Sequence, residues 1–350
     1  MPWDLHALLT EAIRQGASDL HLSNGVPPTL RIDGLLQPLE LPRLTREDLV
    51  QMIYSILNAE QKVKFETDWE LDFSIEVRNV GRFRVNVHKQ RGAVEAAFRV
   101  VHEKIRTIRQ LGLPPVVEDI AQCSSGLVLI TGPTGSGKTS TMAAMVDQIN
   151  SERASVIITI EDPIEYIHQH RRSIVKQREV RTDTMGFAPA LRHVLRQDPD
   201  IIGIGEMRDL ETISTALTAA ETGHLVLATI HTPDTIQTVD RIIDVFPPGQ
   251  QQQVRMQFAA TLQAIIAQQL LPVPGQRGRV VAVEVLIGTI AAKKVIRAAK
   301  TEQLITVIQT GHEHGMISMD KSLKNLYQQG LVSYEDAMAK VKYPEAWDHL

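Results

Sequence analysis

Apolar residues Leu5, Leu8, Leu9 and Ile13 recur at helical spacing, and Gly16 closes that stretch. Ala17-Ser18-Asp19-Leu20-His21-Leu22 then alternates apolar and polar positions, so the pattern predicts a helix followed by a strand. Past a turn-rich stretch holding Pro27-Pro28 and Asp33-Gly34, Thr45 and Asp48 are spaced as a capping box. The helix they would start has the apolar stripe Leu49, Met52, Ile53, Ile56 and Leu57. Alternation returns in Leu71, Phe73, Ile75 and Val77, turns at Asn79-Val80-Gly81, and resumes in Phe83, Val85 and Val87, the pattern of a β-hairpin. Val94, Ala96, Phe98 and Val100 predict a further strand. Residues 1–101 therefore read as an α+β domain with an antiparallel sheet.

Residues 102–115, from His102 through Gly112-Leu113-Pro114-Pro115, read as a connection between domains. From residue 124 the grammar changes to short, continuous apolar runs at 127–131, 156–160, 201–204 and 225–230, each followed by a polar or glycine-rich loop. Strands of that kind are buried on both faces, which predicts an α/β domain with a parallel sheet covered by helices over residues 116–270. A hairpin around Gly275-Gln276-Arg277-Gly278 and a largely helical region complete the chain over 271–350.

Composition narrows the function classes. A length of 350 residues with 43% apolar and 22% charged residues suits two globular domains. The net charge of −4 and the 4% aromatic content argue against a nucleic-acid translocase, and no nucleic-acid partner is expected. No apolar run reaches membrane-spanning length, and Cys123 is the single cysteine, so the cytoplasm is the expected compartment.

The sharpest chemical signal is Gly132-Pro133-Thr134-Gly135-Ser136-Gly137-Lys138-Thr139, a full P-loop pattern set between a predicted strand and a predicted helix. Glycines let backbone N–H groups curl around phosphate oxygens, and the helix N-terminus adds its positive end. Lys138 is placed to reach the β- and γ-phosphates of ATP and Thr139 to ligate Mg²⁺, with Ser140 counted among the nucleotide contacts. At the end of the 201–204 run comes Gly203-Ile204-Gly205-Glu206, where many P-loop enzymes carry an Asp–Glu pair. Glu206 reads either as the residue that polarises the attacking water and holds Mg²⁺ through its hydration shell, or as a solvated loop carboxylate.

Glu161-Asp162-Pro163-Ile164-Glu165 ends the 156–160 run. Glu161 reads as a further Mg²⁺ or water contact, while Asp162 and Glu165 read equally as part of a capped turn. His224 and His231 bracket the 225–230 run, and a separation of seven points them to opposite sides of an ideal strand, which disfavours one shared metal. His231 is the candidate γ-phosphate sensor; the plainer reading is a satisfied polar residue. Arg82, Arg84 and Arg99 alternate with apolar residues. They form either a solvated basic face or a source of charge neutralisation for the nucleotide.

Taken together, these stretches resemble one family over nearly the whole chain. They are 16–21, Gly81-Arg82-Phe83-Arg84-Val85-Asn86, the P-loop, 160–165, Gly205-Glu206-Met207-Arg208-Asp209, Thr222-Gly223-His224 and 228–232. The chain is similar to the secretion ATPases of type II secretion and type IV pili, and within them to the PilT-type retraction ATPases. The resemblance implies a PAS-like N-terminal domain, a RecA-like ATPase domain and a homohexameric ring with ATP between domains. It implies Glu206 as the catalytic glutamate, Glu161 in an acidic box, His224 and His231 in a histidine box, and Arg82, Arg84 and Arg99 as arginines acting on the nucleotide. The implied partners are the inner-membrane pilus platform protein, which would hold the ring at the inner face of the membrane, and a paralogous pilus ATPase. Retraction motors carry a motif close to Ala-Ile-Arg-Asn-Leu-Ile-Arg-Glu, whereas this chain has Ala291-Ala292-Lys293-Lys294-Val295-Ile296-Arg297-Ala298. That departure leaves an accessory, regulatory paralogue as the alternative. The extension ATPases carry a four-cysteine zinc insertion, which a single cysteine does not build.

Overall fold

The computed structural model describes residues 4–32, 34–101, 104–275 and 278–349. Asp33, His102 and, of the expected hairpin, Gln276 and Arg277 lie outside the described residues. The chain forms two compact units, residues 1–103 with the short stretch 165–167, and residues 104–164 with 168–350.

The first unit runs α1 (Leu5–Arg14), β1 (Asp19–Leu22), β2 (Thr29–Ile32), β3 (Leu35–Pro38), α2 (Arg46–Ser55), α3 (Ala59–Asp68), β4 (Glu70–Val77), β5 (Gly81–Gln90) and β6 (Ala93–Val100). Its six strands lie in the order β3-β2-β1-β6-β5-β4, with every neighbouring pair antiparallel. One face carries Leu20, Phe83, Val85, Val87 and Phe98 into a core shared with Leu9, Leu49, Ile53 and Phe65. The capping box read from Thr45 and Asp48 is formed: the Thr45 side chain accepts from the Asp48 N–H while the Asp48 carboxylate accepts from the Thr45 N–H.

The second unit runs α4 (Val116–Ala121), β7 (Gly126–Thr131), α5 (Lys138–Glu152), β8 (Val156–Glu161), β9 (Ile174–Glu179), α6 (Phe187–Val194), β10 (Ile201–Ile204), α7 (Leu210–Glu221), β11 (Leu225–Ile230), α8 (Thr235–Asp244), α9 (Pro248–Thr261), β12 (Leu262–Pro272), β13 (Arg279–Ile287), α10 (Ile290–Arg297), α11 (Leu304–Thr310), α12 (Met319–Gln328) and α13 (Tyr334–Met338). Its seven strands are ordered β13-β12-β7-β11-β10-β8-β9. All neighbours are parallel except β12 and β13. Residues 104–115 pack within this unit, since Ile108 and Leu113 are buried with Val128 and Met142. β12 and β13 extend the same sheet, so residues on either side of 270 share one core.

The register of the parallel strands positions the chemistry. Thr131 stands opposite Ile230, Ile204 opposite Ala228, and Ile160 opposite Ile204. The residues that follow, the P-loop, His231, Glu206 and Glu161, therefore leave the sheet at one carboxyl edge, in adjacent strands about 4.8 Å apart. Among the described residues, no helix is long and apolar enough to cross a membrane.

Candidate functional site

The P-loop closes tightly because its glycines permit it. Gly132, Gly135 and Gly137 hold φ of 143°, 77° and 92°, a region that side chains strain to reach. A Cβ on Gly132 would lie 2.3 Å from the Gln268 carbonyl oxygen. Pro133, Thr134 and Gly135 form the exposed crown, whereas Gly132, Ser136 and Lys138 are buried; Thr139 and Ser140 follow in the first turn of α5. Gln268 on β12 braces the loop from below, its Nε2 donating to the Ser136 carbonyl at 2.8 Å. The Ser136 hydroxyl and Gln268 Oε1 are buried with no hydrogen-bond partner among the described residues, which fits a loop whose polar groups face a phosphate ligand.

Lys138 folds back over this cradle. Its Nζ donates to the carbonyls of Gly132 at 2.9 Å and Pro133 at 3.0 Å, and lies 3.4 Å from His231 Nδ1. An ammonium only donates, so His231 Nδ1 accepts and the ring proton belongs on Nε2. That Nε2 lies 3.3 Å from Glu206 Oε2. His231 thus bridges the P-loop lysine and Glu206, the position that strand order dictates, because β11 lies between β7 and β10.

Glu206 is also gripped by Arg208, through Nε and through Nη2. Partial burial works to raise its carboxyl, but the hydrogen bonds from Arg208 and His231 and the charge of Arg208 outweigh it. The group sits below the ordinary carboxylate range and is ionised at neutral pH. The position that lacks the aspartate is sterically tight. A Cβ on Gly205 would lie 3.1 Å from the Ile160 carbonyl and 3.2 Å from Glu161 Cα, and one on Gly203 would lie 2.9 Å from Thr159 Cγ2. A side chain at Gly205 would need the β8 backbone to give by a few tenths of an ångström, whereas one at Gly203 would meet the tip of the Thr159 side chain.

Glu161 is buried at the end of β8, where Oε1 accepts from Thr159 Oγ1 at 2.6 Å and from Gln177 Nε2 at 3.0 Å. Among the described residues, no group of three or more His, Cys, Asp or Glu is arranged to hold a metal. The protein donors on this edge, the Thr139 hydroxyl and the Glu206 and Glu161 carboxylates, fit an ion such as Mg²⁺ that keeps water and phosphate as its other ligands.

His224 is not part of this group. It precedes β11, so a strand of six residues, roughly 20 Å long, separates it from His231. Its Nδ1 meets the Ala219 carbonyl at 3.0 Å, at the end of α7. Arg82, Arg84 and Arg99 belong to the first unit. Arg84 and Arg99 face each other across β5 and β6, and Arg82 lies two residues along, so the three share the face opposite Phe83 and Val85. Arg84 and Arg99 are exposed, and Arg99 Nε donates to Asp19 at 2.9 Å.

Beside Gly137 and Ser140 lies a pocket of about 320 Å³, walled by Leu111, Leu113, Leu270 and Val281 with Arg106 and Arg279 at its polar parts. Sequence reasoning missed these residues. They come from a stretch read as linker and from the β12–β13 pair, and carry no motif. A larger cavity of about 540 Å³ in the first unit, near Asp4, Glu11 and Leu41, contains no part of the phosphate loop.

A phosphate-binding loop on a parallel sheet, with an ionised glutamate and a bridging histidine at the same edge, defines a P-loop ATPase. The family described as Type II/IV secretion system protein matches residues 2–339, and the chain belongs to it. It is 48% identical over 342 residues to the type IV pilus retractation ATPase PilT of Pseudomonas aeruginosa, covering 98% of this chain and 99% of that protein. It is 41% identical over 336 residues to the type IV pilus ATPase PilU of the same organism, covering 96% and 88%. The crystal structure of the pilus retraction motor PilT with bound ADP matches with a TM-score of 0.93 and 48% identity, over 99% of this chain and 100% of that one. The expected fold, an α+β N-terminal domain followed by a RecA-like ATPase domain, is the one observed.

Proposed function

We propose that this chain is the ATP-hydrolysing motor of type IV pilus retraction, working in the cytoplasm as a homohexamer against the inner-membrane platform protein. The observation that carries the catalytic part is the row of Lys138, His231 and Glu206 at one sheet edge. ATP would seat its phosphates on the N–H groups of 132–137, with the nucleoside in the pocket beside Ser140. Lys138 then exchanges its carbonyl partners for phosphate oxygens. Glu206, released from Arg208, orients water for attack on the γ-phosphorus as the bond to the β–γ bridging oxygen breaks, giving ADP and phosphate. His231 registers the γ-phosphate through its contacts with both residues. Bound Mg²⁺ supplies charge neutralisation across the β- and γ-phosphates, and Thr139, Glu206 and Glu161 are the residues that would hold it, partly through water. Arg82, Arg84 and Arg99 are proposed to add positive charge in the transition state, and His224 to support the α7–β11 junction instead of the nucleotide. Ring closure follows from repeating one heterologous interface, with rotation between PAS-like and RecA-like domains as the stroke.

The test is genetic. Cells of a twitching bacterium lacking their own retraction ATPase should regain twitching with the wild-type gene and not with Glu206→Gln. The second reading, an accessory paralogue, rests on Lys293 in α10 and Ala298 at its C-terminal cap, where the retraction motif has arginine and glutamate. Rescue that requires a resident retraction ATPase would select it.

A further inference from the structure

The loop 231–234 is held from two sides by residues that no motif contains. On one side runs a buried line of hydroxyls. Thr131, the last residue before the P-loop, meets Thr232 Oγ1 at 2.6 Å, and Thr232 Oγ1 meets Thr238 Oγ1 at 2.7 Å. Thr238 Oγ1 donates to the Asp234 carbonyl at 2.6 Å, and the Thr232 N–H donates to Thr131 Oγ1 at 3.2 Å. All three threonines are buried, so an unmade bond in this line would leave a desolvated hydroxyl.

On the other side is the C-terminal segment. Lys342 Nζ donates to Asp234 Oδ2 at 3.0 Å, and the Asp234 side chain caps α8 by accepting from the Gln237 N–H at 2.8 Å. The backbone at Lys342 is itself fixed, because buried Asp320 accepts from the N–H groups of Lys342 at 2.8 Å and Tyr343 at 3.0 Å. Trp347, buried against Leu323, anchors the segment further along, and Lys324 Nζ donates to its carbonyl at 2.6 Å. The segment is therefore a built element that ends on the loop carrying His231.

We infer that Thr238 and Lys342 are positioning residues for ATP hydrolysis: they fix loop 231–234 from opposite sides and so hold His231 between Lys138 and Glu206. Neither touches the reacting atoms. Their effect passes through His231, which makes the C-terminal segment part of the catalytic apparatus. The inference rests on the reading of this site as ATP-hydrolysing.

The experiment is steady-state ATP hydrolysis by the full chain, with kcat, KM and thermal midpoint measured for each variant. Thr238→Val should lower kcat about tenfold and Lys342→Met about threefold, each with KM within about threefold of wild type. Thr238→Ser and Lys342→Arg, which keep the donor, should restore most of the rate. In a His231→Ala background both substitutions should change the residual kcat no further. Unchanged kcat with a lowered thermal midpoint would overturn the inference, as would equal losses with and without His231. Lys342 is half-exposed, so Lys342→Met decides the matter even if Thr238→Val fails to fold. Absence of hydrolysis in the wild type would instead bring down the ATPase reading and the inference with it.

Discussion

At residue scale the site is shaped as much by what a neighbouring backbone forbids as by the groups it presents. At Gly205 a Cβ would stand 3.1 Å from the Ile160 carbonyl and 3.2 Å from Glu161 Cα, so an aspartate beside Glu206 would require the β8 backbone to give. Gly205→Asp should therefore destabilise the second unit by about 1–3 kcal/mol in urea unfolding, and it should not improve hydrolysis. Stability equal to wild type would remove the steric explanation. The strand-end places of the P-loop, Glu206 and Glu161 were legible in the sequence because each follows directly from a continuous apolar run. Gln268, Arg106 and Arg279 were not, because tertiary packing alone brings the first to the loop and the other two to the pocket beside it. The bridging place of His231 needed the strand order, which sequence does not supply.

At the scale of elements, the strands read from alternation or from continuous apolar runs appear where the pattern put them. α3, the β2–β3 pair and β9 escaped the reading. α3 buries only Phe65, β3 is exposed along its length, and β9 alternates weakly, so none carries a strong periodic signal. The segment joining β8 to β9 contains an element-scale test. His168 is buried, and burial, helped by the charge of Arg171, pushes its imidazole down from 6.5 to about 4. The folded state thus holds this ring neutral while the unfolded chain protonates it below pH 6.5. The resulting stability is fully present above pH 6.5 and is lost as pH falls toward 4, by up to about 3 kcal/mol. His168→Leu should flatten the fall in unfolding free energy between pH 7 and 5, and an unchanged pH slope would refute the assignment.

For the whole molecule, the central issue is whether the two units cooperate in one motor. Arg84 is exposed on a face whose opposite side carries the core, so Arg84→Ala should leave the thermal midpoint unchanged and lower kcat by roughly tenfold or more if the arginine serves the nucleotide. An unchanged rate would return it to a solvated surface. The fold class and the division into an antiparallel and a parallel sheet were visible from the switch in apolar period near residue 124. The ring is not visible in one chain, because an interface between copies leaves no period in the sequence. The most direct test is steady-state hydrolysis by purified wild type and Glu206→Gln, with molecular mass measured in the same buffer with and without Mg²⁺-ATP. The account expects turnover by a six-subunit species and, in the variant, nucleotide binding with turnover lowered at least about a hundredfold. Hydrolysis that survives in Glu206→Gln, or turnover by a monomer, would contradict it.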